Sequence, residues 1–257
     1  MNVVAFIPAR MAASRFPNKP MAPILGIPMI GHVYLRTAMC TAFQDVYVAT
    51  CDREIERYIH SLGGKAVMTS DQHQRASDRC AEAAERVEAR TGRPIDIVAM
   101  IQGDEPLLDP AMFNHAVDVL CADPGLNISN IMNPISSEEE FHSLNTVKVV
   151  TDQRLRALYF SREPIPHHRP GQPVRAHKQT GLIFFRTAYL KPYLRLTPTP
   201  GEVAESVDMM RVLEHGDDVQ MVLSTKVLMG VDAPSDIPRV EAVMKNDPLY
   251  REYGHGK

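Results

Sequence analysis

The stretch VVAFIPARMAASRFPNKP, residues 3–20, decides the fold of this chain. It opens with a short apolar run of β-branched and aromatic side chains, which predicts a buried β-strand. A segment rich in Pro, Ala and Arg follows this strand, and a helix is predicted over residues 29–40. Because α/β proteins bind ligands in the loops that follow such strands, the stretch also predicts where a binding site lies.

Strand-like and helix-like segments continue to alternate up to residue 101. Strands are predicted over residues 46–50, 65–69 and 95–101, and helices over residues 53–62 and 76–90. The last of these strands is almost entirely apolar, which is typical of a central strand in a parallel sheet. We therefore predict an α/β fold of the Rossmann-like type with a mostly parallel central sheet.

The second half of the chain has shorter apolar segments that lie closer together. The strands predicted there cover residues 127–132, 146–150, 155–160, 180–185 and 219–224, and the helices cover residues 202–214 and 235–245. Such crowding predicts a small antiparallel subdomain, which we place at about residues 127–200. Since no linker-like segment separates the halves, we predict one domain over residues 1–257 with this subdomain inserted.

The overall charge and hydropathy exclude several classes of partner. The chain has 28 Lys and Arg against 31 Asp and Glu, a formal net charge of −3, so no global positive field draws it to nucleic acid or to an anionic membrane. No apolar run approaches the ~20 residues that cross a bilayer, and no secretion signal is recognisable. We expect a cytoplasmic protein without nucleic-acid or membrane partners. The four cysteines are far apart and form no C-x-x-C, so we expect reduced thiols.

Residues 8–20 concentrate positive charge in the loop after the first strand. Arg10, Arg15 and Lys19 lie among small residues, including Ser14, that allow tight turns of the backbone. Exposed backbone N–H groups together with cations bind polyphosphates. The sequence patterns of the Walker loop and of dinucleotide-binding loops are absent. We predict a phosphate-binding loop of another kind, and the alternative is a solvated loop with scattered charges.

Two aspartates are candidate metal ligands. In IQGDEPLLDP, residues 101–110, Asp104 follows the predicted central strand, where a carboxylate points into the ligand crevice and needs a cation. In MGVDAPSDI, residues 229–237, Asp232 precedes a helix that is predicted to begin with proline. The alternatives are that Asp104 caps a turn and that Asp232 is the N-cap of that helix.

These motifs together resemble the family of CMP-Kdo synthetases, the 3-deoxy-manno-octulosonate cytidylyltransferases. The loop matches the family at Arg10, Ser14, Arg15, Phe16-Pro17 and Lys19-Pro20. Asn18 stands where the family usually has Gly. Asn adopts a left-handed backbone more readily than other non-glycine residues. QGDEP and G-V-D-x-P-x-D are shared as well. Further matches follow in register at Ser77, Arg79, Lys148 and Arg162.

The resemblance implies a GT-A-like nucleotidyltransferase that uses Mg²⁺ to transfer CMP from CTP to an acidic sugar, most simply Kdo, with release of pyrophosphate. The product would be a CMP-sugar for lipopolysaccharide or capsule synthesis. The implied metal ligands are Asp104 and Asp232, and these two with Arg10 and Lys19 are the implied catalytic residues. The implied nucleotide-binding residues are Pro8, Ala9, Arg10, Ser14, Arg15, Lys19, Ser77, Arg79 and Gln102. Lys148 is expected near the phosphates, and residues 161–178 are expected to pair two subunits as a homodimer.

The implied acceptor-binding residues are Gln102, Arg162, Gln179, Ile183, Asp208 and Met209. Arg162 would bind the carboxylate of the acceptor, for which a guanidinium is suited. Compared with the family pattern, Gln179 replaces His, Ile183 replaces Tyr, Asp208 replaces Glu and Met209 replaces Gln. Loss of hydrogen-bonding side chains changes which hydroxyls a site accepts. Other acceptors therefore stay open, namely a modified or amino ulosonic acid or a small phosphonate, and so does a non-catalytic relative that only binds CTP.

Overall fold

The computed structural model of the chain describes residues 1–12, 16–167, 176–226 and 228–254. The chain forms two compact units, the first made of Met1–Asn114 with Val227–Lys257 and the second of His115–Lys226. The second unit thus extends beyond the predicted subdomain on both sides, and folding as one domain stays a prediction. No helix within the described ranges is long and apolar enough to span a membrane.

A parallel sheet forms the centre of the first unit. The strands in this part of the chain are β1 (Val3–Ala9), β2 (Pro23–Ile24), β3 (Ile27–Pro28), β4 (Asp45–Thr50), β5 (Lys65–Met68) and β6 (Ile97–Ile101). The longer ones pair in parallel in the order β5-β4-β1-β6. β1 and β6 carry the apolar runs that identified them in the sequence, and every residue of β6 is buried. The predicted α/β fold with a parallel sheet is confirmed.

Helices connect these strands. They are α1 (Met29–Ala38), α2 (Arg53–Ser61), α3 (Ala76–Thr91) and α4 (Ala111–Ala122). α3 buries Ala81, Ala83 and Ala84, small side chains that allow a helix to approach the sheet closely. Its C-cap is Gly92, which has a positive φ of 66° and donates its N–H to the carbonyl oxygen of Glu88. α4 was not predicted, and it carries the chain into the second unit.

The segment between β1 and α1 is more regular than predicted. It contains a 3₁₀ helix at Lys19–Met21 and the β2–β3 hairpin, whose turn uses positive φ angles at Leu25 and Gly26. Elements of two or three residues are too short to leave a periodic pattern in the sequence, so this part was expected to be an irregular loop. Asn18 has φ 60° and ψ 19°, which confirms the left-handed backbone expected there.

The second unit is mainly antiparallel. Its elements are β7 (Ile128–Pro134), α5 (Glu138–His142), β8 (Lys148–Thr151), β9 (Ala157–Ser161), β10 (His177–Arg186), α6 (Thr187–Tyr193), α7 (Pro200–Glu205), α8 (Asp208–Glu214) and β11 (Gln220–Leu223). β10 pairs antiparallel with β7 and with β8, and β8 pairs antiparallel with β9. β11 joins β7 in parallel. The predicted antiparallel element is confirmed.

The single helix predicted over residues 202–214 is wrong. α7 and α8 are separate helices divided at Ser206, whose backbone is left-handed with φ 53°. Arg162 lies far away in the sequence, yet its Nε donates to the carbonyl oxygen of Glu205 at 2.7 Å. A carbonyl at the end of α7 is therefore satisfied by a side chain, so the helix does not need to continue. α7 also begins earlier than predicted, with Pro200 in its first turn.

The C-terminal part of the first unit consists of a 3₁₀ helix at Pro234–Asp236, followed by α9 (Ile237–Met244) and α10 (Pro248–Tyr253). α9 is shorter than the predicted helix, and α10 was not predicted. The two helices pack on an apolar cluster that we call the C-terminal core. Its buried members are Ile24, Met29, Leu107, Val231, Val240 and Met244, and Phe16, Leu25, Met229, Ile237 and Tyr250 pack partly buried against them.

Candidate active site

A pocket lies at the carboxyl end of the parallel sheet in the first unit, beyond the last residues of β1 and β6. Its lining comprises Pro8, Ala9, Arg10, Lys19, Pro20, Met29, His73, Gln74, Arg75, Ala76, Arg79, Gln102, Gly103 and Asp104. This is where open α/β sheets bind ligands. The structure thus brings together most of the residues that the sequence nominated for phosphate and nucleotide binding.

The two candidate metal ligands share one ammonium group. Lys19 Nζ lies 2.8 Å from Asp104 Oδ2 and 4.0 Å from Asp232 Oδ1. The backbone N–H of Val231 donates to the carbonyl oxygen of Asp104 at 3.0 Å, which joins the two loops. The Asp232 side chain is 67% exposed, whereas that of Lys19 is only 14% exposed. The pairing of the carboxylates follows the prediction that placed them at one site.

Asp232 is not the N-cap of a helix. Its own backbone N–H donates to Asp236 Oδ2 at 2.8 Å, and the 3₁₀ helix begins only at Pro234. The carboxylate is therefore not used on helix N–H groups, and it faces Lys19 instead. This geometry excludes the alternative interpretation of Asp232 as a helix cap.

The cationic loop is anchored at its base. The N–H of Asn18 donates to Met11 O at 3.2 Å, and the N–H of Met11 donates to Asp52 Oδ2 at 2.8 Å. Arg10 Nη1 lies 3.4 Å from the carbonyl oxygen of His73. The sequence analysis missed Asp52, although its place just after β4, at the same end of the sheet, was a usable signal. Ser14 and Arg15 lie outside the described residues, so their phosphate contacts stay predictions.

Gly103 allows the turn after β6 to approach the end of β1. A Cβ atom at this position would lie 2.9 Å from the carbonyl oxygen of Pro8, too close for any side chain without a shift of the backbone. The neighbours Gln102 and Asp104 are both in the pocket lining. Glycine at this position therefore allows the Asp104 loop to lie against the end of β1, where the cationic loop begins.

Arg79 presents a partly unsatisfied guanidinium to the pocket. The residue is 3% exposed, and its Nη1 donates to Thr69 Oγ1 at 2.6 Å and to Ser70 O at 3.1 Å. Its Nη2 has no hydrogen-bond partner among the described residues. A buried donor without a partner is costly unless a ligand completes it, which is consistent with a nucleotide contact. Ser77 is buried in α3, and its nucleotide contact stays a prediction.

Glu82 organises one wall of the pocket and was also missed from the sequence. Its carboxylate accepts from Ser70 N at 2.8 Å and from His73 Nε2 and Arg86 Nη2, each at 2.5 Å. Burial by itself would raise the pKa of Glu82, but these hydrogen bonds and the charge of Arg86 outweigh it and lower the pKa. The charged form therefore fixes the His73 ring and the backbone beside it.

In the second unit, carbonyl oxygens surround two cations that the sequence nominated. Arg162 donates to Leu144 O at 2.8 Å and to Glu205 O at 2.7 Å. Lys148 is fully buried, and its ammonium donates to the carbonyl oxygens of Ser143, Thr146 and Arg162. Burial lowers the pKa of Lys148. Glu205 lies beside both cations: its carboxylate accepts from Arg162 N at 2.8 Å and attracts the Lys148 ammonium. The two charges are therefore partly offset, and the ligand contacts of both side chains stay predictions.

The other residues nominated for the acceptor have different surroundings. Gln179 Nε2 donates to Asn130 Oδ1 at 2.8 Å. Ile183 is 5% exposed and Met209 is 1% exposed, so both belong to the apolar interior of the second unit. Asp208 is the first residue of α8. Their contacts with an acceptor stay predictions.

A parallel α/β sheet with a cationic loop after its first strand, and with two aspartates sharing a lysine beside the pocket, defines a nucleotidyltransferase. A sequence model of the family described as cytidylyltransferase matches residues 4–221. The chain belongs to this cytidylyltransferase family, and the resemblance found in its motifs is confirmed.

Relatives and solved structures agree with this assignment. The 3-deoxy-manno-octulosonate cytidylyltransferase of Geobacter metallireducens is 40% identical over 252 residues, covering 93% of this chain and 96% of the relative. The 3-deoxy-manno-octulosonate cytidylyltransferase of Myxococcus xanthus is 42% identical over 246 residues, covering 95% of this chain and 97% of the relative. A structure of CMP:2-keto-3-deoxy-manno-octonic acid synthetase complexed with CTP superposes with a TM-score of 0.86 at 34% identity, covering 95% of this chain and 99% of that one.

Proposed function

We propose that this chain transfers CMP from CTP to 3-deoxy-manno-octulosonate (Kdo), with Mg²⁺ as cofactor and pyrophosphate as the second product. The observation that carries the proposal is the pair of carboxylates, Asp104 and Asp232, on the Lys19 ammonium beside the pocket. The two named relatives match nearly the whole chain, and both are cytidylyltransferases of this sugar acid.

The reaction needs positioning and charge stabilisation more than covalent chemistry. The anomeric hydroxyl oxygen of the acceptor attacks the α-phosphorus of CTP, and the bond to the bridging oxygen on the opposite side breaks. Pyrophosphate leaves with that electron pair, and the hydroxyl proton passes to solvent. Lys19 and Arg10 hold the triphosphate, while Arg79 and Gln102 hold the nucleoside end. Pro8 and Ala9, at the end of β1, line the pocket beside these groups.

The residues of the site fit a magnesium ion. Mg²⁺ is usually bound by one or two carboxylates and takes its remaining ligands from water and substrate phosphates. Asp104 and Asp232 provide two carboxylates, and no cluster of three or more His, Cys, Asp or Glu suited to a metal occurs among the described residues. When bound, the ion would neutralise charge that develops on the phosphates. Asp104 and Asp232 would hold it.

The acceptor's carboxylate is assigned to Arg162 of the second unit. Carbonyl oxygens orient the guanidinium. Of the other nominated residues, Gln102, Gln179 and Asp208 offer polar groups to sugar hydroxyls. Ile183 and Met209 offer only apolar contact.

Pyrophosphate release tests the proposal directly. Wild-type protein is assayed with CTP, Mg²⁺ and Kdo, beside Asp104→Ala and the control Asp118→Ala, an exposed aspartate of α4. We expect turnover on the order of 10 s⁻¹ in the wild type and the control, and at least a ~100-fold loss in Asp104→Ala. Turnover with an amino ulosonic acid or a phosphonate but not with Kdo would show that Kdo is the wrong acceptor. CTP binding without turnover on any acceptor would indicate a non-catalytic relative.

The working form is proposed to be a cytoplasmic homodimer whose CMP-sugar product enters lipopolysaccharide synthesis. Large apolar side chains of the second unit support the dimer, since Leu158 is 60% exposed, Tyr159 is 40% exposed and Val203 is 71% exposed. Residues 168–175 of the segment expected to pair subunits lie outside the described residues. Sedimentation at micromolar concentration tests the dimer, and a monomer alone would contradict it.

A further inference from the structure

A buried polar cluster holds the C-terminal helix α10 against α1. We call it the C-terminal clamp, and it consists of His32, Arg36, Asp247 and Tyr253. His32 and Arg36 are both fully buried. Arg36 Nη2 forms an ion pair with the carboxylate of Asp247, and Arg36 Nε donates to Tyr253 Oη at 2.9 Å.

The hydrogen-bond directions in the clamp are fixed by chemistry. Arg36 can only donate, so the Tyr253 oxygen accepts from it. His32 Nε2 lies 2.8 Å from the carbonyl oxygen of Ile24, which can only accept, so Nε2 carries the ring proton. His32 Nδ1, 2.8 Å from Tyr253 Oη, therefore accepts the tyrosine proton. A single chain of donors runs from Arg36 through Tyr253 and His32 to Ile24, and each of these groups depends on its neighbour.

The clamp also contacts the loop that carries Asp104. Arg36 Nη1 donates to the carbonyl oxygen of Leu108, shortly after Asp104 in the chain, at 3.2 Å. The preceding residue, Leu107, belongs to the C-terminal core together with Val231, the neighbour of Asp232. α9 supplies Val240 to the same core. The clamp and this core thus hold both of the loops that bear the candidate metal ligands.

The nucleotide side of the pocket has separate supports. Arg79 is held by Thr69 and Ser70, and His73 is held by Glu82. None of these residues is a member of the clamp. Loosening the clamp would therefore shift the carboxylates while Arg79 and His73 keep their positions in the pocket lining.

We propose that Arg36 and Tyr253 are positioning residues for nucleotidyl transfer, because they fix the loops of Asp104 and Asp232 through the C-terminal clamp. Neither side chain lies in the pocket lining. The inference rests on the proposed function for its kinetic readout, and it has a second readout in metal binding that does not require turnover.

Tyr253→Phe is the variant that isolates the clamp. It keeps the ring but removes the hydroxyl, which leaves Arg36 Nε and His32 Nδ1 without their shared partner. We expect kcat to fall about 10-fold while the KM for CTP changes less than about 2-fold, because an interaction that orients the reacting groups acts on the chemical step. Tyr34→Phe is the matched control, since it removes a hydroxyl from α1, the helix of His32 and Arg36, that accepts from Lys65 N at 3.2 Å and belongs to neither the clamp nor the pocket lining.

A general loss of stability must be separated from a loss of positioning. Ile59→Ala truncates a fully buried residue of α2, which contributes nothing to the clamp, and it should lower the melting temperature without lowering kcat of the folded protein. If Tyr253→Phe does not fold, Asp247→Asn replaces it. Asn can still cap α10, as Asp247 does through Leu249 N, but it lacks the charge that pairs with Arg36.

The second readout is the affinity for Mn²⁺, used as a paramagnetic probe of the magnesium site, measured by electron paramagnetic resonance with CTP present. We expect Tyr253→Phe or Asp247→Asn to weaken Mn²⁺ binding about 5-fold, with the affinity for CTP alone unchanged. Unchanged Mn²⁺ affinity in the clamp variants would overturn the inference whether or not the protein turns over. Absence of pyrophosphate release from wild-type protein would instead count against the proposed function.

Discussion

Val231 donates its backbone N–H to the carbonyl oxygen of Asp104 at 3.0 Å. The loops of the two candidate metal ligands are thus joined by a main-chain hydrogen bond, and the side-chain charges add a second connection through Lys19. A main-chain bond survives any substitution of the carboxylates. The negative charge of Asp104 or Asp232 can therefore be removed by substitution while the main-chain bond still joins the two loops. The effect of the charge on catalysis can thus be measured separately from the effect of the loop positions.

Asp104→Asn and Asp232→Asn should each lower kcat for pyrophosphate release by about 100-fold or more, since one charged ligand is lost. Without ligand, the melting temperature of Asp232→Asn should change by no more than about 4 °C, because this carboxylate is 67% exposed and exposed ion pairs contribute only about 0–1 kcal/mol. Asp104→Asn should lower it further, because the partner of Asp104, Lys19, is only 14% exposed. Thermal unfolding and a pyrophosphate assay measure the two quantities. Asp118→Asn is the control, and a variant that unfolds would show that the carboxylates are structural.

Gly103→Ala should damage both stability and activity. The new Cβ would lie 2.9 Å from Pro8 O, and the backbone must shift to relieve the contact. We expect a loss of about 1–3 kcal/mol in the free energy of unfolding. Gly230→Ala adds the same methyl group 3.9 Å from Asp104 O, an ordinary contact, so it should stay close to wild type. Equal stability of the two variants in urea unfolding would refute this account of Gly103.

Asn18 should tolerate glycine better than alanine. With φ 60° and ψ 19° it occupies the left-handed region, where most L-residues lose about 1–2 kcal/mol. Asn18→Ala should therefore destabilise the protein by about 1 kcal/mol, whereas Asn18→Gly should be neutral or slightly stabilising. Chemical denaturation of Asn18→Ala and Asn18→Gly measures the difference in their free energies of unfolding. The opposite order would mean that the Asn18 side chain matters more than its backbone conformation.

The protein should lose stability as the pH falls from about 6.5 to about 4. Burial, assisted by the positive charge of Arg36 and opposed by the hydrogen bond to Ile24, lowers the pKa of His32 to about 4. Between this value and the ordinary pKa of 6.5 the unfolded chain binds a proton that the folded protein does not, so acid favours unfolding. Over this pH range the free energy of unfolding should fall by about 3 kcal/mol.

Urea unfolding at several pH values measures this slope. His32→Gln retains an amide donor for Ile24 and an acceptor for Tyr253 but cannot titrate, so its stability should depend less on pH in this window. The exposed His60→Gln serves as the control and should retain the wild-type slope. A slope that is the same in His32→Gln and wild type would show that other groups control acid unfolding.

The sequence predicted the parallel sheet and the main site motifs because their signals are local. β6 is recognisable from IVAMI alone, and Asp104 and Asp232 from short motifs beside predicted elements. α4 was not predicted, although the residues that it buries recur in the sequence with helical spacing. These are Met112, Phe113, Ala116, Val117 and Leu120.

Other features depend on partners that are distant in the sequence. The break at Ser206 is accompanied by hydrogen bonds from Arg162, and no pattern within residues 202–214 indicates it. Asp52 and Glu82 act through hydrogen bonds to Met11 and Ser70, which only the folded chain brings within reach. The place of Asp52 after β4 marks it as a candidate for the ligand end of the sheet, but local propensity indicates neither its partner Met11 nor the role of Glu82, because these contacts exist only after the tertiary structure has formed.

The anchored base of the cationic loop has a consequence for protein engineering. Asn18 N–H bonds to Met11 O, and Asp52 holds Met11, so the chain leaves and returns at one fixed point. Residues 12–15 can therefore be exchanged for segments of different length or charge while Met11, Asn18 and Phe16, which packs against the C-terminal core, keep their native contacts.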